Sequence, residues 1–393
     1  MLINPIQHQA AKECLKRYIP FAVYVMPWSE QSRFMACVPH VPGHSEVDIT
    51  KPGDVFFISR FGADEPYMAG VHAAMDEAEL LDHLARQPEL KGSDCQERPS
   101  LTSTRRISYD EAFKVMHARL KKIGGKVVLS RHVSLFSDRN IVDVAADYFE
   151  TSPRTFRYLT FTPENGVWLG ATPELILEWS DNRDDIKWHT MALAGTRPAG
   201  EIGEWDDKNL HEHEIVADFI ADTLRQHDIK VTREPMCNLT AGPVMHLCTP
   251  IYGFGHVENP MEVLADLNPT PAVCGWPTPL AMAEIDTLET HQRRCYGGMV
   301  GVREGDRIRA FVNLRCAFAA QAFTATPKIG KTDGWIYNTY AGGGIMADSD
   351  AADEWAETER KMSALIKCIE GDSEKTKSTV DPIKARFKHL KSL

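Results

Sequence analysis

Apolar positions along this chain change period several times, and each change predicts an element. From Tyr109 to Lys122 the spacing is helical, with Ala112, Val115, Met116 and Leu120 on one side. Gly124-Gly125 closes that helix, and Lys126 to Phe136, rich in Val and Leu, reads as a strand. Trp168 to Trp179 reads as a strand broken at Pro173, and Met191 to Ala194 as a strand closed by Gly195. Ile215, Val216, Phe219, Ile220 and Leu224 give the next helix its apolar stripe. Arg307 to Phe318 alternates: Ile308, Ala310, Val312, Leu314 and Cys316 face one way, Arg309, Phe311, Asn313 and Arg315 the other. Gly334 to Tyr340 is a further strand. Glu354 to Ile369 is a helix whose stripe is Trp355, Met362, Ile366 and Ile369, with Glu354, Glu357 and Lys361 bordering it. Strands and helices come in runs without regular βαβ alternation, which predicts a mixed α+β architecture.

The polar stretch Gln87 to Arg106 reads as a loop. It divides an N-terminal part (1–100) from a motif-rich region (101–371), and a basic tail (372–393) follows. With 393 residues, 43% of them hydrophobic, the chain can bury a large core. A net charge of -11 argues against broad attraction to nucleic acid or anionic lipid. The N-terminus lacks a basic region followed by an apolar run, so no signal peptide is expected. The longest apolar stretch, Ile19 to Trp28, is too short to span a bilayer. Nine cysteines without a Cys-x-x-Cys pair suit free thiols in a reducing cytosol. The reading is a cytoplasmic monomer.

Two acidic helix starts stand out: His211-Glu212-His213-Glu214, and Glu354 with Glu357. Each is open to a plain reading, as a helix-capping cluster and as a Glu357–Lys361 surface pair. Together they offer carboxylate oxygens for Mg²⁺. His211 and His213 point about 160° apart on a helix, which excludes a zinc-protease motif. Lys126, entering an apolar strand, is a solubilising charge or a base. Glu174, after Pro173 and beside apolar side chains, is a strand-ending residue or a carboxyl kept protonated as a proton donor. Gly342-Gly343-Gly344 matches neither a dinucleotide fingerprint nor a P-loop, but a glycine run after a strand lets backbone N–H groups meet an anion. Arg315 could pair with a carboxylate.

In order, these motifs resemble the chorismate-utilising enzymes: isochorismate synthase, salicylate synthase, and the large subunits of anthranilate and aminodeoxychorismate synthases. The resemblance runs from about Tyr109 to Ile369. It rests on Lys126 to Arg131, Gly170 to Glu174, Leu193 to Pro198, Glu212 to Glu214, Val244 to Leu247, Pro269 to Val273, Tyr296 to Gly298, Leu314 to Cys316, Gly342 to Ile345 and Glu354 to Thr358. Lys126 resembles the water-adding members, above all isochorismate synthases of the siderophore type. The resemblance implies a single large chorismate-binding domain with a β-sheet core flanked by helices. It further implies Lys126 as the base on water and Glu174 as the acid on the departing hydroxyl, a neutral amine and a neutral acid at the start. Glu212, Glu357 and Glu354 would hold Mg²⁺. Tyr296, Arg315, Gly342 and Gly344 would clamp the enolpyruvyl carboxylate, Gly195 and Thr196 would line the ring, and His246 and Lys361 would sit nearby. It implies no glutaminase partner. It leaves open isochorismate or salicylate as product, and a siderophore or menaquinone pathway as its destination. Asn209 stands where relatives often carry an acidic residue.

Overall fold

The computed structural model describes residues 1–37, 47–51, 53–62, 69–72, 75–86, 98–180, 187–326 and 330–371. The basic tail and most of the loop expected after Gln87 lie outside them. In chain order the first strands are β1 (Phe21–Val25), β2 (Ser32–Ala36), β3 (Val55–Ile58), β4 (Ala69–His72), β5 (Lys126–Ser137), β6 (Phe156–Thr162), β7 (Gly166–Thr172), β8 (Leu175–Ser180) and β9 (Lys187–Pro198). They continue with β10 (Lys230–Arg233), β11 (Cys237–Ala241), β12 (Val244–Phe254), β13 (Gly275–Trp276), β14 (Met299–Glu304), β15 (Arg307–Val312), β16 (Cys316–Thr326) and β17 (Gly330–Ile345). The helices are α1 (Pro5–Arg17), α2 (Glu77–Ala85), α3 (Arg106–Ile123), α4 (Ile141–Glu150), α5 (Asp207–Gln226), α6 (Pro260–Leu267), α7 (Thr278–Leu288) and α8 (Ala351–Glu370).

The strands form two antiparallel sheets. One has the order β13-β5-β17-β16-β7-β6-β1-β2. The other runs β10-β12-β9-β8-β15-β14-β3-β4, with β11 pairing β12. An aromatic core lies between them. Tyr24, Phe156, Tyr158, Trp168 and Phe318 from the first sheet meet Phe56, Val300 and Phe311 from the second. Phe156 and Phe311 stack at 4.6 Å, a pairing of about 1 kcal/mol beyond its burial. Outside the first sheet, α1, α4 and α8 bury their apolar stripes. Outside the second, α5 and α6 do so. The result is a mixed α+β fold built from helix, sheet, sheet and helix layers, as the runs of elements imply.

Several local expectations need correction. On α3 the buried residues are Tyr109, Ala112, Phe113, Met116 and Leu120; Val115 is exposed. The stretch Arg307 to Phe318 is two strands, because the chain turns at Asn313-Leu314-Arg315 and crosses from one sheet to the other. Arg315 therefore does not sit on the polar face of a strand; its φ is 49°, in the left-handed region. β7 and β8 likewise belong to different sheets, joined through Pro173-Glu174. β9 does not stop at Gly195: it continues to Pro198 through a bulge, where the register with β12 shifts between His246 and Leu247. The glycine run does not follow a strand but lies within β17, pairing with Ser130, Leu129 and Val128 of β5. On α8, Glu354 and Thr358 are fully buried while Trp355 and Ile366 are only half-buried.

Candidate active site

A cleft opens where the two crossovers meet the glycine end of β17. Glu174, Gly195, Thr196, Glu212, His246, Tyr296, Arg315, Gly342, Gly344 and Lys361 all line it, so ten of the thirteen residues singled out in the sequence converge here. Lys126, Glu354 and Glu357 stand directly behind, each through a neighbour described below. Val128, Leu193, Ala272 and Val273 supply apolar wall.

Two crossovers bring the acid and the arginine together. Val312 N–H donates to the Glu174 carbonyl at 3.0 Å, and Ala171 N–H donates to the Arg315 carbonyl at 3.2 Å. Glu174 is 3% exposed. Burial pushes its pKa up to about 7, against the Thr270 hydroxyl that donates to it at 3.2 Å and the charges of Lys126, Lys361 and Arg315.

Three carboxylates are each matched by one lysine. Lys126 Nζ lies 2.8 Å from Glu212 Oε1, Lys208 Nζ 2.6 Å from Glu354 Oε1, and Lys361 Nζ 2.6 Å from Glu357 Oε1. Lys126 is fully buried, and its Nζ has no well-aligned hydrogen-bond partner among the described residues. Burial opposes ionisation of Glu212, yet Lys126, with Lys208 and Lys361 farther off, holds its carboxyl below the ordinary range. Glu354 goes the other way: burial and the neighbouring Glu357 raise it to about 7, against Lys208. The Ser349 hydroxyl also donates to Glu354 at 2.9 Å.

Side chains would not fit between these groups and the strand. A Cβ at Gly343 would lie 2.5 Å from Glu354 Oε2, and one at Gly344 would collide with the Glu212 carboxylate. β16 stops pairing with β17 at Thr339, so beyond it β17 is paired only with β5. The Gly342 carbonyl accepts from Lys361 Nζ at 2.8 Å, so the N–H groups of Gly342 and Gly344 also face away from β5, toward the cleft.

On the opposite wall, His246 joins β12 to the crossover. Its Nε2 accepts from Arg315 Nη2 at 2.8 Å, which leaves Nδ1–H to donate to the Gly195 carbonyl at 3.1 Å. Burial and the adjacent Arg315 drive its pKa well down, so the ring is neutral. Gly195 has φ +73° and supplies the bulge. The Asn209 side chain accepts from Thr196 N–H at 2.8 Å and donates to Asp206, the N-cap of α5. Asn209 thus orders the bulge. Of the neighbouring histidines, His211 is exposed and His213 is buried against Thr249, so neither joins the cleft.

Could these residues hold a hard cation? Glu212, Glu354 and Glu357 offer only carboxylate oxygens, the donors Mg²⁺ prefers. Among the described residues no three metal-ligating side chains converge as the chain stands, each carboxylate being drawn to its lysine. The repulsion that raises Glu354 is nevertheless what a divalent cation would relieve. The donor set fits.

Lys208, Thr270 and Ser349 were not expected. Lys208 precedes Glu212 by one helical turn, a charge spacing that could have pointed to it. Thr270 lies within the stretch Pro269 to Val273 named above. Ser349 carries no sequence signal.

The profile of chorismate-binding enzymes matches residues 63–370. Isochorismate synthase EntC of Escherichia coli (strain K12) is 29% identical over 257 residues, 61% of each chain. Isochorismate synthase DhbC of Bacillus subtilis (strain 168) is 32% identical over 240 residues, 56% of this chain and 52% of that one. These alignments span less than two thirds of either relative's length. Among solved structures, MenF, the menaquinone-specific isochorismate synthase from Escherichia coli, superposes with a TM-score of 0.70 at 19% identity, covering 93% of this chain and 91% of that one. Anthranilate synthase component I from Streptococcus pneumoniae TIGR4 superposes with a TM-score of 0.59 at 17% identity, covering 88% and 89%. The fold of both is the fold seen here. With more than half its length matched by one profile, the chain belongs to the chorismate-binding enzyme family.

Proposed function

We propose that the protein is a magnesium-dependent isochorismate synthase, converting chorismate to isochorismate by adding water at C2 and expelling the C4 hydroxyl. The observation that carries this reading is a cleft lined by a carboxyl whose pKa is raised to about 7, with a fully buried lysine directly behind its wall. Lys126, acting in its neutral amine form, takes a proton from water as the water oxygen bonds to C2. The two ring double bonds shift by one position, and the C4–O bond breaks. Glu174 gives its proton to the departing oxygen, so water enters and water leaves. A carboxyl with a pKa near 7 keeps a proton at neutral pH and still releases it. Mg²⁺ held by Glu212, Glu354 and Glu357 would neutralise the ring carboxylate. Arg315, kept in place by His246 and the Ala241 carbonyl, and Tyr296 with the Gly342 and Gly344 N–H groups receive the enolpyruvyl carboxylate. Gly195 and Thr196 flank the ring. Holding these groups in place before the reaction contributes to the rate through orientation and electrostatics.

The test is purified protein with chorismate and Mg²⁺, products resolved by chromatography, with and without ammonia. Isochorismate alone is expected. Salicylate with pyruvate would make the enzyme a salicylate synthase. An ammonia-dependent aminated product would overturn the water-adding assignment.

A further inference from the structure

We propose that a second cavity, separated from the catalytic cleft by the Tyr340 ring, binds a small anion bearing carboxylate or phosphate groups. The cavity measures about 520 Å³, a size suited to a small metabolite. Arg98, Arg105 and Arg294 line it with His132 and His291, and no Asp or Glu is among its described lining residues. In a chain of net charge -11, three arginines stand together here.

Three features make it a built site. First, its wall is stitched in place. The Asn338 side chain exchanges hydrogen bonds with Ser100 N–H and C=O at 2.6 and 2.8 Å. His132 holds the same segment, its Nε2 donating to the Thr102 carbonyl at 2.7 Å and its Nδ1 accepting from the Thr104 hydroxyl at 3.1 Å.

Second, the 18-residue helix α3 begins here. Its N-cap is Arg105, which makes no side-chain cap bond, so the first-turn N–H groups and the positive end of the helix are directed at the cavity.

Third, His291 lines the cavity with a side chain only 5% exposed. Its Nε2 lies 3.1 Å from the Ser130 hydroxyl, and its Nδ1 has no partner among the described residues. The same Nε2 lies 3.8 Å from Glu289 Oε2, and Nδ1 is a buried polar atom whose lost hydration a ligand in the cavity restores.

Tyr340 lines both cavities, and its ring stacks on Tyr296 at 5.5 Å. The occupant therefore lies one ring away from a residue assigned above to substrate. Its binding does not depend on that assignment.

The experiment is isothermal titration of the whole protein, free of divalent ions and at fixed ionic strength, with citrate and separately with inorganic phosphate. Saturable binding is expected in the wild type and in Lys361→Ala. A loss of about tenfold or more is expected in the Arg98→Gln/Arg105→Gln double variant and in His291→Phe. Binding of citrate alone would identify carboxylate as the recognised chemistry, and of phosphate alone, phosphate. Binding lost in Lys361→Ala but kept in the double variant would put the anion in the catalytic cleft and overturn the proposal. So would the absence of saturable binding in the wild type. His291→Phe changes a buried ring, so the surface double variant decides if that protein does not fold.

Discussion

Glu174→Gln replaces a buried titratable carboxyl with a neutral amide of nearly the same shape, and its effect on stability can be worked out. Burial is the main cause that lifts the Glu174 pKa from 4.5 to about 7, and Thr270, Lys126, Lys361 and Arg315 only partly offset it. In the unfolded chain the group returns to its ordinary value. Below pH 4.5 both states are protonated, and the folded protein has the full stability linked to this carboxyl. As pH rises the unfolded state ionises first, so that stability falls, and it is gone above about pH 7. A difference of about 2.5 pKa units corresponds to roughly 3 kcal/mol. Glutamine has no proton to lose, and its carbonyl still accepts from Thr270. An unfolding entropy of about 2.1 cal/mol/K per residue gives roughly 0.8 kcal/mol/K for this chain, and hence a shift of about 4 °C. Tm of both proteins, by calorimetry in metal-free buffer from pH 4.5 to 8.5, is the assay. The variant's advantage should grow by about 4 °C between pH 4.5 and 8, while its turnover collapses. Glu354, also near 7, titrates in both proteins and cancels. An advantage that does not change with pH would refute the argument that burial controls this carboxyl.

Four further outcomes follow. Turnover should decline above about pH 7, approaching tenfold per pH unit as Glu174 loses its proton; a flat profile to pH 9 would remove it as the acid. Lys126→Ala should cut turnover by about two to four decades with chorismate binding kept, and full activity would end its role as base. Glu357→Gln should raise the Mg²⁺ concentration for half-activity by about tenfold; no change would contradict its place as a ligand. Lys208→Met frees Glu354 from its ion pair and should tighten Mg²⁺ binding to the protein alone by about tenfold, or about 1.4 kcal/mol, measured calorimetrically. Weaker binding would mean that the lysine supports the site instead of competing for it.

Helices α3, α5 and α8 and the strands that carry the motifs were legible because their periods are local, whereas α1, α2, α4, α6, α7 and the strands β1 to β4 were not read from the sequence. What the sequence hid is where the chain changes sheets. Alternation across Arg307 to Phe318 survives the crossover, because each flank keeps its own period of two, so the turn at Arg315 leaves no mark in the pattern. The place of the glycine run was hidden for a different reason. Its position within β17 reflects side chains arriving from α5 and α8, whose register is set by tertiary packing. Val115 has the right spacing but falls just outside the arc that faces β5, with Tyr109 and Phe113 inside it. The two acidic helix starts could be paired by their chemistry, but the meeting of Lys126 and Glu174 with them was visible only through the family resemblance, since no spacing rule links residues so far apart. Lys208 was missed because a lysine near a helix start is ordinarily solvated, whereas here it reaches a carboxylate that is 2% exposed.

Thr172, Glu174, Val312 and Arg315 knot the two crossovers to each other, the Thr172 hydroxyl donating to the Val312 carbonyl at 2.5 Å. The sheets therefore cannot slide apart without tearing the floor on which the chemistry rests. Heat inactivation and global melting should coincide, and the amides of Ala171 and Val312 should be among the last in the molecule to exchange with deuterium.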